Sequence, residues 1–185
     1  MFPKRRKRNR SVSDPPKHTE NDPILFVDVD GVISLFGFDS AAPHPGEFHS
    51  VDGILHCIGS EAGPRLARLA ERYELVWSTG WEEKANEYLP HLLGLPGELP
   101  FLTFDGRAVF GTAHWKLASM DEYALDRPAA WIDDSMDDRC RRWAAERNAP
   151  TLLVETEPSI GITDEHVDLL LRWADEHAEV RRRPS

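Results

Sequence analysis

From residue 23 onward, short β-branched or aromatic runs alternate with longer amphipathic stretches, and no other feature limits the possible folds of this chain so tightly. The alternation is that of βαβ units, whose parallel strands are buried on both faces by crossover helices. It predicts an α/β, doubly wound, Rossmann-like sheet of five parallel strands: Ile24 to Asp28, Glu74 to Thr79, Phe101 to Phe104, Ala130 to Asp133 and Thr151 to Glu155. Helices are expected between them. "EAGPRLARLAERY" sets Leu66, Leu69, Ala70 and Tyr73 at 3-and-4 spacing, one apolar stripe. "WEEKANEYLPHLLGL" reads as a second helix, bent or ended in its first part by Pro90. "HWKLASMDEYAL" and "DDRCRRWAAERN" give two more, and "TDEHVDLLLRWADEH" a last one with Thr163 as N-cap and Asp164 and Glu165 in its first turn. The stretch from Phe36 to Gly59 stands outside this rhythm; "EFHSVDGILHCIG" reads as a β-hairpin turned at Asp52-Gly53 and is too short to be a domain.

The 185 residues, 41% hydrophobic and 29% charged, suffice for one buried core. One domain is therefore expected, over residues 23–178. Residues 1–22 hold seven Lys or Arg against three Asp or Glu, so of a formal −10 overall the remainder carries −14. That basic, Pro-rich, aromatic-poor leader cannot bury enough surface to fold alone and is expected to be a disordered tail, as is the basic segment 179–185. A run of positive charge is either a solvated tail or a handle for a polyanion. No apolar run approaches the roughly 20 residues of a membrane helix and no apolar signal core follows the basic start, which argues for a cytoplasmic protein with no membrane partner. Cys57 and Cys140 fit neither a disulfide framework nor a zinc knuckle and are expected to be reduced, partly buried thiols.

In an open parallel sheet, reacting groups collect beyond the carboxyl ends of the strands. The first strand ends in Asp28 and Asp30, the second in Ser78 and Thr79, and the fourth in "WIDDSMDD", with Asp133, Asp134, Asp137 and Asp138; Lys116 opens the helix before the fourth. An Asp-x-Asp pair by itself is commonly a turn or a solvated cap. These three strand ends and Lys116 occurring in order are a different matter, because gathered at one edge they make a carboxylate cluster that is untenable without a cation. Hard oxygen ligands of this kind suit Mg²⁺ held together with a phosphate oxygen. Gly31 lets the backbone turn so that both aspartates serve one site. One carboxylate can then attack phosphorus while its neighbour handles the leaving-group proton.

The order "ILFVDVDGV", "LVWSTG", "WK", "AWIDD" resembles the haloacid dehalogenase (HAD) superfamily of phosphohydrolases. The longer wording "ELVWSTGWEEKANEYL", "LGLP", "WKL", "WIDD", "APTLLVETEPSIGIT" is similar to the HAD domain of Swiss Army Knife RNA repair proteins, over nearly all of residues 23 to 175. The resemblance implies a HAD-like fold and a phosphatase in which Asp28 is the nucleophile that becomes an aspartyl-phosphate. Asp30 would be general acid and base, with its backbone carbonyl on Mg²⁺. Thr79 would bind the phosphoryl oxygens, with Ser78 the runner-up because the family hydroxyl usually precedes a small residue such as Gly80. Lys116 would offset the charge on nucleophile and phosphate, and Asp134, with Asp133 beside it, would hold the metal. "DDSMDD" also fits a second family ending, which would place Asp138 behind the ligands. Relatives that act on small metabolites usually insert a cap domain. Here only Phe36 to Gly59 and Gly94 to Thr112 are available, so no large cap is expected and the cleft should admit bulky substrates such as RNA or DNA ends or phosphoproteins, with nucleotides a further candidate class.

Four tryptophans lie near these groups. Trp77 and Trp131 sit inside strands and are expected in the core, whereas Trp81 and Trp115, at helix starts, are candidates for stacking a base. His44, His49 and His56 lack a ligand spacing and are expected at surface or hairpin positions. Arg107, Arg139 and Arg141 could offset the acidic body toward a polyanionic substrate. Two other readings compete. A receiver-type phospho-acceptor domain also joins aspartates, Thr and Lys on a parallel sheet, but in an order this chain does not reproduce. A non-catalytic interaction module of the same fold would show a lost catalytic residue, and none is missing.

Overall fold

The computed structural model describes residues 22–106, 109 and 111–182. The expectations for residues 1–21, for 183–185 and for Arg107 lie outside the described residues. In chain order the elements are β1 (Ile24–Val27), β2 (Ser34–Leu35), β3 (Gly46–Val51), β4 (Ile54–Gly59), α1 (Ala62–Leu69), β5 (Glu74–Trp77), α2 (Lys84–Leu93), α3 (Leu117–Ala124, entered through a 3₁₀ turn at His114–Lys116), β6 (Ala129–Asp133), α4 (Asp138–Glu146), β7 (Thr151–Glu155) and α5 (Asp164–Arg182).

Strands β1, β5, β6 and β7 form a parallel sheet in the order β5-β1-β6-β7. The registers Val27↔Trp77 and Val27↔Ile132 align the carboxyl ends of the three central strands. Alternation along β1 explains the burial of both faces. Leu25 and Val27 join Leu66 and Leu69 of α1, Leu89 of α2 and Leu170 of α5 on one side. Ile24 and Phe26 join Met120 of α3, Cys140 of α4 and Trp131 on the other. The chain leaves β1, pairs β5 on one flank and returns to pair β6 on the opposite flank, so strand order reverses at β1, where ligands bind in sheets of this kind.

The sheet has four strands among the described residues, not five. Residues 101–104 make a single bridge, Phe101↔Trp77, through the Trp77 amide to the Pro100 carbonyl (2.8 Å) and the Leu102 amide to the Trp77 carbonyl (2.9 Å). The apolar run is there because Leu102 and Phe104 are buried in the core, and left-handed turns at Asp105 and Gly106 (φ 50° and 72°) end it before a ladder can form. Pro90 does not end α2, which runs on to Leu93. It stops at Gly94 (φ 65°), where the Leu95 amide reaches the Pro90 carbonyl (2.9 Å) and the Gly94 amide that of His91 (3.4 Å). Thr163 caps α5 as expected, its hydroxyl accepting from the His166 amide (3.4 Å). That helix continues to Arg182, past residue 178.

The hairpin is present. β3 and β4 pair from Gly46↔Gly59 to Val51↔Ile54, around Asp52 and Gly53 at φ 51° and 81°, the type I′ geometry that a glycine in second place permits. β2 adds a third antiparallel strand, in the order β2-β4-β3. The tip is pinned to α2 by Asp52, whose carboxylate accepts from Lys84 Nζ and from the Tyr88 hydroxyl (2.9 Å). Cys57 and Cys140 are free and buried. Among the described residues no helix is long and apolar enough to cross a membrane.

Candidate active site

The ends of β1, β5 and β6 meet in one row. Backbone pairing continues one residue past each ladder: the Asp28 amide reaches the Ile132 carbonyl (3.1 Å) and the Ser78 amide the Val27 carbonyl (2.8 Å). Paired residues of adjacent strands point to the same face, so Asp28, Ser78 and Asp133 share it. Lys116 enters from the 3₁₀ turn before α3, 3% exposed, with Nζ 2.9 Å from Asp28 Oδ1 and 2.6 Å from Asp133 Oδ2. The other oxygen of Asp133 accepts the Ser135 amide at 2.9 Å. Asp134, next along, accepts the Ser135 hydroxyl at 2.9 Å. One carboxylate oxygen from each of Asp28, Asp133 and Asp134 lies within 4.8 Å of the others.

Gly31 makes that approach possible. At φ 75° it takes the left-handed turn, and a Cβ there would fall 2.4 Å from the Asp134 carboxyl. Thr156, at the end of β7, locks the same turn: its hydroxyl donates to the Gly31 carbonyl (2.9 Å) and its amide to that of Asp133 (3.1 Å).

Burial drives the electrostatics. It raises Asp28 above the ordinary carboxylate range, with Lys116 opposing and Asp133 reinforcing the shift. It also raises Asp134, against the Ser135 hydrogen bond. For Lys116, burial disfavours the charge, but the Asp28 and Asp133 carboxylates outweigh it, so the ammonium is held. Three carboxylates against one ammonium leave a strong local excess of negative charge, relieved by protonation or by a cation.

Asp30 stands apart from this trio. Its Oδ2 accepts the indole N–H of Trp81 at 3.0 Å, and its Oδ1 lies 4.0 Å from His56 Nδ1, which is itself 2.9 Å from the Ser34 hydroxyl. The His56 ring packs edge-on against Trp81, with centroids 4.7 Å apart. Burial raises Asp30, opposed first by the Trp81 hydrogen bond.

The two hydroxyls of β5's end differ. Ser78 is fully buried and its Oγ has no partner among the described residues. Thr79 Oγ1 accepts the Trp81 amide at 3.3 Å and shapes the turn into α2. Gly80 is exposed between them and Trp81. Trp115 donates its indole N–H to the Thr112 carbonyl (2.7 Å) and packs edge-on against Phe104, with Lys116 Nζ 5.3 Å from its ring. Trp77 and Trp131 are core residues, as their strand positions predict. Asp137 caps α4, and Asp138 is turned outward toward Arg141 at 3.5 Å. Arg139 reaches His114 Nε2 at 3.0 Å.

His44 is exposed and His49 half-buried on the hairpin, as expected. His56 is also on the hairpin, but its place beside Asp30 is not visible in the sequence, because it follows from a strand that folds back over residues distant in the chain. Thr156 escapes sequence reading for the same reason. Only its position at the end of the last strand hinted at it.

Fold and site together are of the haloacid dehalogenase type. The family described as the HAD domain in Swiss Army Knife RNA repair proteins matches residues 24–167, more than three quarters of the chain, and the chain belongs to it. No curated protein matches the chain.

Proposed function

We propose that the domain is a Mg²⁺-dependent phosphomonoesterase that works through an aspartyl-phosphate on Asp28 and acts on phosphorylated nucleic-acid ends. The observation that carries this reading is the meeting of the Asp28, Asp133 and Asp134 carboxylates, the first two bridged by Lys116, at the point where strand order reverses. All donors are hard carboxylate oxygens, and burial makes their charge costly, so the set fits a small divalent cation. Asp28 and Asp134 would hold it, joined by the Asp30 carbonyl. Asp133 has one oxygen on Lys116 and one on the Ser135 amide and serves chiefly to fix the lysine. Bound Mg²⁺ would supply positive charge to the phosphoryl oxygens.

In the first half-reaction an Asp28 oxygen bonds phosphorus, the ester P–O bond breaks, and Asp30 gives its proton to the departing oxygen. In the second, Asp30 takes a proton from water as that water attacks phosphorus, and the Asp28–phosphorus bond breaks to release phosphate. Lys116 stabilises the negative charge throughout. Ser78, in the row of Asp28 with a buried hydroxyl in want of a partner, would donate to a phosphoryl oxygen beside Thr79, whose oxygen accepts the Trp81 amide and whose O–H stays free to donate. Among the described residues the insertion after β1 is the three-stranded sheet of residues 34–59, and a site roofed by so short a segment would admit bulky esters. The family's association with RNA repair points to RNA ends among them.

Phosphate release from 3′- and 5′-phosphorylated oligonucleotides, with Mg²⁺ and with chelator, tests the proposal. Release should need Mg²⁺ and fall by about 10³-fold or more in Asp28→Asn. Retained Mg²⁺-dependent turnover in that variant overturns the assignment.

A further inference from the structure

We infer that Trp81 is a positioning residue for the general acid, fixing which oxygen of Asp30 carries the proton that goes to the leaving group, and that His56 holds Trp81 in place. The inference rests on the phosphomonoesterase reading and deepens it. An indole N–H only donates, so the Asp30 oxygen it faces, Oδ2 at 3.0 Å, must be an acceptor. When Asp30 is protonated, the hydrogen therefore sits on Oδ1. Without that contact the carboxyl can rotate or protonate on either oxygen, and a proton aimed wrongly is not transferred.

The support around the indole is built. Its ring meets the edge of His56 at 4.7 Å and 67°, and His56 is tied to Ser34 Oγ at 2.9 Å. Ser34 bridges back to Asp30 through backbone pairing, its carbonyl accepting the Gly31 amide at 2.8 Å. The Trp81 amide is held by Thr79 Oγ1. The acid, the indole and the imidazole thus come from the β1 end, the β5 end and the hairpin. Pinning of the hairpin tip to α2 through Asp52 keeps the last of these in register with the other two. With its N–H on Asp30 and its ring against His56, this indole has its polar atom and part of its surface already used. That favours positioning over stacking of a substrate base.

Trp81→Phe keeps an aromatic ring and removes the N–H. A proton matters most when the leaving group is a poor one, so kcat on an alkyl phosphate should fall about tenfold or more, while kcat on 4-nitrophenyl phosphate changes by less than about threefold and KM for both stays near wild type. His56→Ala should show a weaker version of the same split. Equal losses on both esters, or a rise in KM confined to substrates that carry a nucleobase, overturn the inference. A second measurement needs no turnover: in the ¹H–¹⁵N spectrum of the full chain, the Trp81 indole resonance should move in Asp30→Asn far more than the other indole signals. If it does not move, the contact is absent and the inference falls even with an active enzyme. If wild type cleaves neither ester while the resonance moves, it is the phosphomonoesterase reading that fails.

Discussion

Asp137 shows how a single side chain ties the site's rim together. Its Oδ1 accepts the amides of Arg139 (2.9 Å) and Cys140 (3.1 Å), and its Oδ2 meets His114 Nδ1 (2.8 Å) and the Thr112 hydroxyl (3.1 Å). Helix α4 and the loop that delivers Lys116 are thereby joined through one carboxylate. Burial works against its charge, but the Cys140 amide, His114 and Thr112 outweigh burial and hold the carboxyl well below the ordinary range. A depressed carboxyl stabilises the fold above its unfolded value and stops doing so as pH falls through the folded one. Asp137→Ala should therefore cost about 1 kcal/mol at pH 7, as a lost N-cap does, and the gap from wild type should hold down to about pH 4 and narrow below it. Urea melts of both proteins from pH 7 to pH 2.5 measure this. A gap that widens on acidification contradicts the assignment.

At the scale of elements, the hairpin is a fixed roof. Its β3–β4 register follows from the two-residue turn, and its tip is held by Lys84 and Tyr88 on the Asp52 carboxylate. An exposed ion pair adds little stability, so Lys84→Met should leave the urea unfolding midpoint close to that of wild type. It should nevertheless speed hydrogen exchange at the β3 and β4 amides, since the tip loses an anchor. Unchanged exchange there would mean that Tyr88 alone suffices. The same segment marks the limit of what a sequence discloses. Local signals succeeded: Asp52-Gly53 for the turn, Thr163 for a cap, alternation for β1, β6 and β7, and "DVDG" with "WIDD" for the acidic trio. Signals of burial were mistaken for signals of pairing at Phe101 to Phe104, because an apolar run looks the same whether its backbone meets a neighbouring strand or only its side chains meet a core. Of the contacts made across long sequence separations, His56 to Trp81 left no local trace, and Thr156 to Gly31 left only the place of Thr156 at a strand end.

For the whole molecule the central tension is charge. The site concentrates acid at the switch point of the sheet, and the chain beyond residue 22 carries a formal −14, yet the proposed substrate is a polyanion. Arg139 and Arg141 are engaged with His114 and Glu155, which leaves the basic residues 1–21 as the richest source of positive charge. If those residues hold the body of an RNA strand while its end enters the site, counterion release makes turnover steeply salt-dependent. With about four of their charges on phosphates, removing residues 1–21 should flatten the slope of log kcat/KM against log salt by roughly 3 for a phosphorylated oligonucleotide. The same truncation should leave 4-nitrophenyl phosphate untouched, because a small ester needs only the site. Kinetics of both substrates from 50 to 300 mM KCl distinguish the cases. Equal slopes with and without the leader would shift the search for an RNA-holding surface to the folded body.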